Sequence, residues 1–551
     1  MPFPLLWSAG DYYRNYDVMR EKISTWPKTF YETRAFYRFL EILTGSMTWI
    51  ILIAPFILSL TYPIFIAYFI IAFDLYWLFK SIAMSRRLII GYRRLHKAQK
   101  ADWLKKLEKL NNLDSSASFA SYAEAKELNL LLQKKDSIID WRNIYHAIVI
   151  ALSFEDRETI EATVKALLVS NYPADKLVVV IAYEERAGKK AEDSANYLLE
   201  KYGQSFFKIV AYKHPDGLPG EVRGKGANIT FAGRQMKALI DELGIDYENV
   251  IVTTLDADHR ADKEYLPYLT YAYVTDPTRT KKSFQPMPMF YNNIWYAPAP
   301  MRVIATSNSF WMVMEALRPH RLRNFAAHAQ SLKTLIDTDF WSTTTIVEDG
   351  HQFWRTYFTY DGDHRVEPLF IPVYQDAVLA ETYKGTYINQ YKQLRRWAWG
   401  VSDIPFVIVN SLRNNRIPIG SKLAHLGRLV EGHLSWATAP LIMTYVAWLP
   451  LTLNSQFKNE VIANQLPVIA SRILTFAMIG LVVTIWVSLI SLPERPKAIS
   501  RRRSLAMLLQ WAIVPLSTIL LSAIPAIEAH TRLLFGKYLE FWVTEKKGKV
   551  E

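Results

Sequence analysis

Two aspartates one residue apart end an apolar run, and their side chains have the chemistry to hold a cation. Asp256 and Asp258 follow uncharged residues in the segment VTTLDADHR. Carboxylate oxygens, together with a diphosphate and water, suit Mg²⁺ or Mn²⁺. A turn that closes a strand is the alternative, because Asp side chains also bond to the backbone of turns. His259, the next residue, is either a further ligand or part of that turn.

The same spacing of two aspartates recurs twice further along the chain. Asp337 and Asp339 form one pair, and Asp361 and Asp363 form the other. Neither pair directly follows an apolar β-like run, so we expect these four residues to be caps or turn residues.

The segment TTTIVEDGHQFW places adjacent carboxylates, Glu348 and Asp349, after a short β-like run. Adjacent carboxylates repel, so each raises the pKa of the other, and a raised pKa suits a general base. The simpler interpretation is a cap for a helix that begins at Gly350 or His351. Both interpretations stay open from these residues alone.

A third motif, QYKQLRRWAWG, contains Gln393, Arg396 and Trp397 at i, i+3 and i+4, so a helix would place them on one face. An amide, a guanidinium and an indole on one face bind phosphate oxygens and stack on an apolar ring. An amphipathic helix at the membrane surface, with Trp and Arg at the headgroups, is the alternative. The two roles are compatible, because apolar segments that look interfacial follow.

Alternating strands and helices must position these residues. Between them lie helical segments at 157–173 and 184–203 and a helix that ends at Leu243. This alternation predicts a doubly wound, mostly parallel α/β sheet. Ligands bind at the carboxyl ends of strands in such sheets, where the first aspartate pair lies. The expected strands are apolar, β-rich runs at 144–152, 176–183, 206–212 and 249–255.

The composition excludes several classes of protein. The chain has 551 residues, half of them apolar and 14% aromatic, with 21 Gly, which excludes disordered and fibrous proteins. The absence of cysteine excludes thiolate metal sites, disulfide scaffolds and cysteine nucleophiles, and fits a reducing compartment. The formal net charge of +13 suits nucleic acid, anionic lipid or phosphorylated partners, and the positions of the charges must decide among them.

Long uncharged runs predict helices that span a membrane. Residues 42–79 contain one charge, Asp74, and one helix of that length would be about 57 Å long, nearly twice a bilayer core of about 30 Å. Two spans with a turn near Ser59–Pro63 fit better. Buried core helices are the alternative, and the recurrence of such runs argues against it. Three further runs of crossing length are Leu434–Leu453, Ile473–Leu492 and Ser504–Ile527.

Basic residues predict the orientation of these spans. They flank the first hairpin on both sides, so residues 84–432 form a cytosolic insert in an integral protein of the plasma (inner) membrane. Orientation and contact with membrane lipid then explain the basic excess, and we expect no nucleic acid partner. The N-terminus does not resemble a cleaved signal. Pro515 and Pro525 permit a re-entrant last segment, and we expect a cytosolic C-terminal tail.

D-A-D, E-D and Q-L-R-R-W, in this order and between membrane hairpins, resemble the motifs of the family 2 membrane glycosyltransferases, which include the cellulose and hyaluronan synthases. The resemblance covers roughly residues 144–410. It implies an α/β GT-A domain, Rossmann-like with a doubly wound mixed sheet, inserted between transmembrane helices. The expected boundaries are a cytosolic or interfacial segment at 1–41, a transmembrane hairpin at 42–83, a helical linker at 84–143, the GT-A domain at 144–380, interfacial helices at 381–432, transmembrane helices at 433–535 and a basic tail at 536–551.

The resemblance also implies roles for individual residues. Asp256 and Asp258 would hold Mg²⁺ or Mn²⁺ against the donor diphosphate, with Asp258 the more direct ligand. Asp349 would be the general base, and Glu348 would shape the acceptor pocket. The residues implied in donor binding are Phe154, Glu155, Glu184, Lys225, Asn228 and Arg396. Those implied in acceptor binding are Gln393, Trp397 and His328.

The chain departs from the family's pattern mainly in the donor region. The family usually has Asp-Asp after the second strand, where this chain has Glu184 and Glu185. The first-strand motif reads SFEDRE, so Phe154 and Glu155 are the match. Val347 replaces the threonine of the family's T-E-D motif. These departures bear on the identity of the nucleotide more than on the reaction.

The implied reaction moves a sugar from a UDP- or GDP-sugar to a hydroxyl of a growing polysaccharide or glycolipid, with inversion. One carboxylate base suffices because the leaving group is already activated. One alternative is transfer of a single sugar to a lipid carrier, although such enzymes usually lack Q-x-x-R-W. Another is a transport or structural membrane protein without catalysis, against which the intact carboxylates argue.

Overall fold

The computed structural model of the protein describes residues 33–110 and 129–540. The expectations for most of the N-terminal segment, for part of the helical linker and for most of the basic tail fall at 1–32, 111–128 and 541–551, outside these described residues. The described chain opens with three helices, α1 at Arg34–Thr61, α2 at Pro63–Lys100 and α3 at Trp103–Leu110.

The break between α1 and α2 falls at Tyr62, inside the turn predicted at Ser59–Pro63. Pro63 is the first residue of α2, a position where the missing proline N–H has no helical partner to lose. The prediction of two helices in place of one is therefore confirmed.

A mixed sheet with helices on both faces follows. Its strands are β1 at Tyr145–Leu152, β2 at Leu177–Glu184, β3 at Lys208–His214, β4 at Val250–Asp256, β5 at Arg260–Ala261, β6 at Lys282–Met289, β7 at Ala329–Ser331 and β8 at Arg365–Tyr374. The helices of this region are α4 at Arg157–Leu168, α5 at Lys189–Tyr202, α6 at Lys225–Leu243, α7 at Tyr265–Val274, α8 at Ala299–Glu315, α9 at Leu332–Asp337 and α10 at Glu348–Thr359.

The strands are ordered β3-β2-β1-β4-β7-β6-β8-β5 across the sheet. β3, β2, β1 and β4 pair in parallel, whereas β7 runs antiparallel to both β4 and β6. β8 is parallel to β6 and antiparallel to β5. The mixed sheet agrees with the expected fold class, and its parallel half contains the four strands predicted from the sequence.

Both faces of the parallel half are buried. Ile148 and Ile150 of β1 pack with α4, α5 and α7 on one face, and Ala147 and Val149 pack with α6 and α9 on the other. A strand buried on both faces needs apolar residues at every position, which explains the near-continuous apolar runs of β1 and β2.

Two helix boundaries differ from the prediction. α4 ends at Leu168, and it could not have continued to 173 because Pro173 disfavours helical backbone at Tyr172. α5 begins at Lys189 and not at 184, since a 3₁₀ turn at Glu185–Ala187 leads into Gly188, whose φ of 71° is left-handed.

Helices make up the rest of the described chain. They are α11 at Tyr383–Ala398, α12 at Asp403–Arg413, α13 at Ile419–Tyr445, α14 at Leu449–Leu453, α15 at Val461–Ala477, α16 at Ile479–Ser491, α17 at Arg501–Leu509, α18 at Val514–Thr518 and α19 at Ile524–Leu534. A 3₁₀ turn at Gln510–Ile513 and a π turn at Ile519–Ala523 join the last three.

Five helical segments among the described residues are long and apolar enough to cross a membrane. In Val461–Ser491, 11% of the most apolar stretch is buried inside the protein, which argues against a core helix. The five agree with the uncharged runs of the sequence. They are Arg34–Thr61, Pro63–Lys100, Ile419–Leu453, Val461–Ser491 and Arg502–Leu534.

The last of these segments contacts the region between the hairpins near both of its ends. Arg503 donates a hydrogen bond to the carbonyl of Ala297 at 3.0 Å. Glu528 accepts one from Arg395 of α11 at 2.6 Å. A straight crossing would separate these two contacts by a bilayer, so they favour a segment bent at its two interruptions, which lie beside the prolines noted in the sequence. The side of the tail remains a prediction.

Candidate active site

The first aspartate pair lies at the carboxyl end of the parallel strands. Asp256 is the last residue of β4, and Asp258 follows in the turn to β5. The carboxylate of Asp256 is 35% exposed, and its Oδ1 lies 2.5 Å from Nζ of Lys225. Asp258 is buried, and its Oδ2 accepts a hydrogen bond from the backbone N–H of Asp376 at 2.9 Å. The pair thus has one partly exposed carboxylate, paired with Lys225, and one buried carboxylate.

The structure shows the turn role for His259, and its role as a metal ligand stays a prediction. Its ring is fully buried, and Nδ1 accepts a hydrogen bond from the backbone N–H of Asp256 at 3.1 Å, which closes the turn. One ligand atom each of Asp256, Asp258 and His259 lie within 4.8 Å of one another. Two carboxylates this close together, beside an imidazole, fit a divalent cation such as Mg²⁺ or Mn²⁺.

The second acidic pair begins a helix. Glu348 and Asp349 occupy the first turn of α10, whereas the sequence predicted a helix start at Gly350 or His351. The helix dipole favours negative charge in that turn. Burial and the charge of Asp349 raise the pKa of Glu348 to about 7, and burial also raises the pKa of Asp349. A carboxylate with a raised pKa is suited to accept a proton near neutral pH.

Lys225, the first residue of α6, lies between the two acidic pairs. Burial lowers the pKa of its ammonium, but the charges of Asp256, Glu348 and Asp349 outweigh that effect and hold the pKa above its usual value. Because the ammonium responds to members of both pairs, it lies close to both of them.

The close approach of α6 to α10 depends on Gly226. A Cβ at this position would lie 2.3 Å from the carbonyl oxygen of Ser342 and 3.0 Å from Cβ of Glu348. No side chain fits in that space. The missing side chain therefore lets the first turn of α6, with Lys225, pack beside the acidic pair.

The third motif lies on α11, as its spacing predicts. Arg396 is near enough to Glu348 and Asp349 that its charge offsets part of the effect of burial on both pKa values. Gln393 is buried and accepts a hydrogen bond from Gln390 at 3.2 Å, and Trp397 is partly buried in the neighbouring apolar core. The structure therefore brings all three sequence motifs to one site.

Two donor-region residues lie at the end of β1. Burial raises the pKa of Glu155, and the charges of Asp258 and Asp256 raise it further, which places Glu155 beside the candidate metal ligands. Phe154 is 52% exposed. The guanidinium of Arg186 lies 6.0 Å from the Phe154 ring centroid, the arrangement of a weak cation–π pair.

Glu184 is buried at the end of β2 and paired with Arg186. The guanidinium donates two hydrogen bonds to the carboxylate, one of them 3.0 Å long from Nη2. The charge of Glu184 is thus compensated inside the protein. Sequence reasoning missed Arg186, although the succession E-E-R offered a signal that the acidic residues have a neighbouring cation.

Two residues expected at the site point into the protein. Asn228 is buried and donates to the carbonyl of Ala182 on β2 at 2.8 Å. His328 is buried, with Nε2 3.1 Å from the indole N–H of Trp341 and Nδ1 2.9 Å from the carbonyl of Phe325. Burial lowers the pKa of His328 to about 4, so the ring is neutral. The structure thus gives both residues contacts inside the protein, and the donor and acceptor roles implied for them stay predictions.

Asp376 is a further residue near the site that sequence reasoning missed. Its backbone N–H fixes the carboxylate of Asp258, and its side chain is 1% exposed. It follows β8 by two residues, in the segment LFIPVYQD. An acidic residue at or just after the end of an apolar strand is the pattern that identified Asp256 and Asp258, and Asp376 shows the same pattern.

The two other aspartate pairs are turn and surface residues, as expected. Asp339 and Asp361 have φ of 52° and 50°, left-handed values that Asp tolerates in turns. Their partners are surface cations: Arg234 for Asp339, Arg416 for Asp361, Lys333 for Asp337 and Lys281 for Asp363.

No protein-family model matches the chain, and no curated protein matches it in sequence. Similar solved structures include the mannosyltransferase PcManGT from Pyrobaculum calidifontis in complex with GDP-Man and Mn²⁺, with 14% identity, 79% of this chain and 99% of that chain covered, and a TM-score of 0.38. A portion of TarS from S. aureus in complex with UDP-GlcNAc has 14% identity, 74% and 97% coverage and a TM-score of 0.34. GalNAc-T7 with UDP, GalNAc and Mn²⁺ has 11% identity, 53% and 58% coverage and a TM-score of 0.31. At TM-scores this low, function has to be argued from the site itself.

Proposed function

We propose that the protein is a membrane-embedded, inverting glycosyltransferase that uses a nucleotide-diphosphate sugar. The observation that supports this most is the convergence of two acidic pairs, Asp256 with Asp258 and Glu348 with Asp349, on Lys225. The site lies at the carboxyl ends of parallel strands, where α/β sheets bind ligands. Cation ligands on one side and a candidate base on the other are what transfer from a diphosphate donor requires.

The donor side of the site is built for a diphosphate. Asp256 and Asp258 would hold Mg²⁺ or Mn²⁺, with the ring of His259 beside them. A bound ion of this kind neutralises charge on a departing diphosphate. Lys225 and Arg396 add positive charge on the protein side, and the guanidinium offers a planar fork to phosphate oxygens. In this proposal the exposed ring of Phe154 stacks on the nucleotide base.

The acceptor side supplies the base. Asp349 accepts the proton of the acceptor hydroxyl, whose oxygen then attacks the anomeric carbon on the face opposite the diphosphate and inverts its configuration. Glu348, with a pKa near 7, shapes the acceptor pocket and shares the charge of the pair. Gln393 and Trp397 on α11 contact the acceptor end in this proposal.

The apolar helices provide the setting for this reaction. We infer that the five candidate spans lie in the plasma (inner) membrane and that the sheet domain is cytosolic. A growing polysaccharide or glycolipid is the acceptor that this arrangement suits best, since helix α11 packs against the candidate span Arg502–Leu534 through Glu528. Transfer of a single sugar to a lipid carrier is the second candidate.

The test uses membranes that contain the full chain. They are incubated with a panel of UDP- and GDP-sugars, and released UDP or GDP is measured with and without EDTA. We expect one donor to release nucleotide in a metal-dependent manner, with product retained in the membrane or extended as a polymer. Absence of release from every donor, by a folded protein that binds Mn²⁺, would contradict the proposal. Product size separates a polymerising enzyme from one that adds a single sugar.

A further inference from the structure

A second charged cluster lies where the segment after α8 meets the candidate spans α2 and α13. We name it the arginine cluster. Its six residues are Lys80 and Arg87 on α2, Arg318, Arg321 and Arg323 after α8, and Arg428 on α13. These groups are close enough to affect one another. Burial lowers the pKa of Arg318, and the charges of Arg321 and Arg87 lower it further. The pKa values of Arg323 and His320 are lowered in the same way, by burial and by the neighbouring arginines.

Two carboxylates lie within this cluster. Glu431 is 2.9 Å from Nζ of Lys80 and 3.0 Å from Nη2 of Arg321. Glu315 pairs with Arg318 and lies 3.9 Å from Nε of Arg321. Two carboxylates among six cations leave the cluster with an excess of positive charge. Such an excess at one place is costly unless an anion accompanies it.

Some of the guanidinium groups are held in place by neutral partners. Arg323 lies 4.1 Å from the ring centroid of Phe353 and 4.7 Å from that of Trp354. Arg428 donates to the carbonyl of His320 at 3.1 Å. Burial, with the charges around it, lowers the pKa of Arg323 to about 9. The guanidinium of Arg323 is thus held in place although neighbouring positive charges repel it.

The cluster lies at the expected depth of lipid headgroups. Lys80 is at the end of the apolar part of α2, with Nζ 4.4 Å from the ring centroid of Trp77 and 5.1 Å from that of Tyr76. Trp, Tyr and Lys together mark the interface between a bilayer and water. Apolar side chains on the same helix remain open on both sides of Lys80, since Phe79 is 66% and Ile82 54% exposed.

We propose that the arginine cluster is a binding site for the phosphate of an anionic membrane lipid, on the side of the membrane that holds the sheet domain. Guanidinium groups match phosphate oxygens in pairs, and basic pockets between membrane helices at this depth bind acidic headgroups. Arg321 and Lys80 keep 26% and 22% of their side chains exposed, so a headgroup has access from the bilayer. Binding of a lipid at this cluster does not require sugar transfer.

The test measures lipid binding by the full chain in detergent. Dioctanoyl phosphatidylglycerol, dioctanoyl phosphatidylcholine and inorganic phosphate are the three probes, and calorimetry and the shift of Tm are the readouts. The variant is Arg87→Gln/Arg321→Gln/Arg428→Gln. The matched control Arg142→Gln/Arg234→Gln/Arg416→Gln removes the same charge from exposed positions. We expect phosphatidylglycerol to bind the wild type and the control, and the variant to bind it about tenfold or more weakly.

Several results would overturn the site. One is equal affinity of the cluster variant and the wild type for phosphatidylglycerol, and another is an equal loss of affinity in the control variant. A third is inorganic phosphate binding as tightly as the lipid, which would indicate a site for a soluble anion. If the variant does not fold, the wild type decides. Its affinity for phosphatidylglycerol must fall as NaCl rises, and affinity that is independent of salt, or equal for phosphatidylcholine, contradicts the proposal.

Discussion

The ammonium of Lys225 and the carboxylate of Asp256 are 2.5 Å apart, and the same ammonium responds to the charges of Glu348 and Asp349. One residue at the start of α6 therefore couples the candidate metal ligands to the candidate base. A cation at Asp256 and a donor diphosphate would both change the surroundings of this lysine. Its removal should therefore affect metal and donor in opposite directions.

For Lys225→Met we expect tighter binding of Mn²⁺ and weaker binding of the donor, because a positive charge leaves the carboxylates and the phosphates at once. Mn²⁺ affinity is measured by electron paramagnetic resonance, and the donor KM from nucleotide release. Turnover should fall by on the order of 100-fold. Lys237→Met, a solvent-facing change on the same helix, should leave all three unchanged. Weaker Mn²⁺ binding in Lys225→Met would show that the lysine does not repel the ion.

Asp349→Asn should abolish sugar transfer, by on the order of 10³-fold, while the donor still binds, because an amide cannot accept the hydroxyl proton. Donor binding is measured by calorimetry and transfer by nucleotide release. Asp363→Asn, at the exposed pair that only resembles the motif, is the matched control and should keep full activity. Full transfer activity in purified Asp349→Asn protein would exclude Asp349 as the base.

Asp258→Ala should lose the metal-dependent part of donor binding, since a buried ligand of the proposed ion is removed. In the wild type, EDTA should weaken donor binding, and in the variant it should have no further effect. Asp337→Ala, in an exposed helix-end pair, should behave as the wild type does. Donor affinity that does not change with chelator in the wild type argues against the metal site.

Glu348→Gln should change how stability depends on pH. The folded protein holds the Glu348 proton up to a pKa of about 7, above the ordinary value of 4.5, so it binds more protons than the unfolded chain within that window. The free energy of unfolding therefore falls as pH rises from about 4.5 to about 7. The variant should show a flatter Tm across this range in EDTA-treated detergent solution. Glu158→Gln, at an exposed site on α4, should keep the wild-type slope.

Glu528→Gln should slow transfer without weakening the metal site. Its carboxylate accepts hydrogen bonds from Tyr391 at 2.7 Å and Arg395 at 2.6 Å, both on the helix of Arg396. Loss of a charged partner loosens α11, and we expect kcat to fall about tenfold with Mn²⁺ affinity unchanged. Glu460→Gln, in an exposed loop, is the control. An unchanged kcat would show that α11 is fixed by its apolar packing.

The sequence sufficed for the parallel half of the sheet because β1, β2 and β4 are buried on both faces, and burial on both faces requires unbroken apolar runs. The short β7 and β5 have three and two residues, too few for a period to appear. The carboxylates of the site were found because acidic residues directly after apolar strands are rare without a reason.

The direction in which individual side chains point could not be predicted from the sequence. Asn228 lies three residues after Lys225 on α6, yet its amide points to β2. His328 was matched by position alone, and its ring is fixed between Trp341 and the backbone of Phe325. Asp376 reaches the site through antiparallel pairing of β5 with β8, a contact between residues far apart in the chain. Contacts of this kind follow from tertiary packing, which local patterns do not record.

In the proposed membrane setting, the length of α2 sets the height of the candidate active site above the bilayer. Its 38 residues make a rod about 57 Å long, against a bilayer core of about 30 Å. The far end is fixed to the sheet, where Gln99 donates to Asp262 at 2.9 Å, four residues past Asp258 in the chain. With its apolar half in the membrane, as we propose, this helix would fix the distance between the bilayer and the site. Residues inserted after Arg87 would lift the site and turn it about 100° per residue.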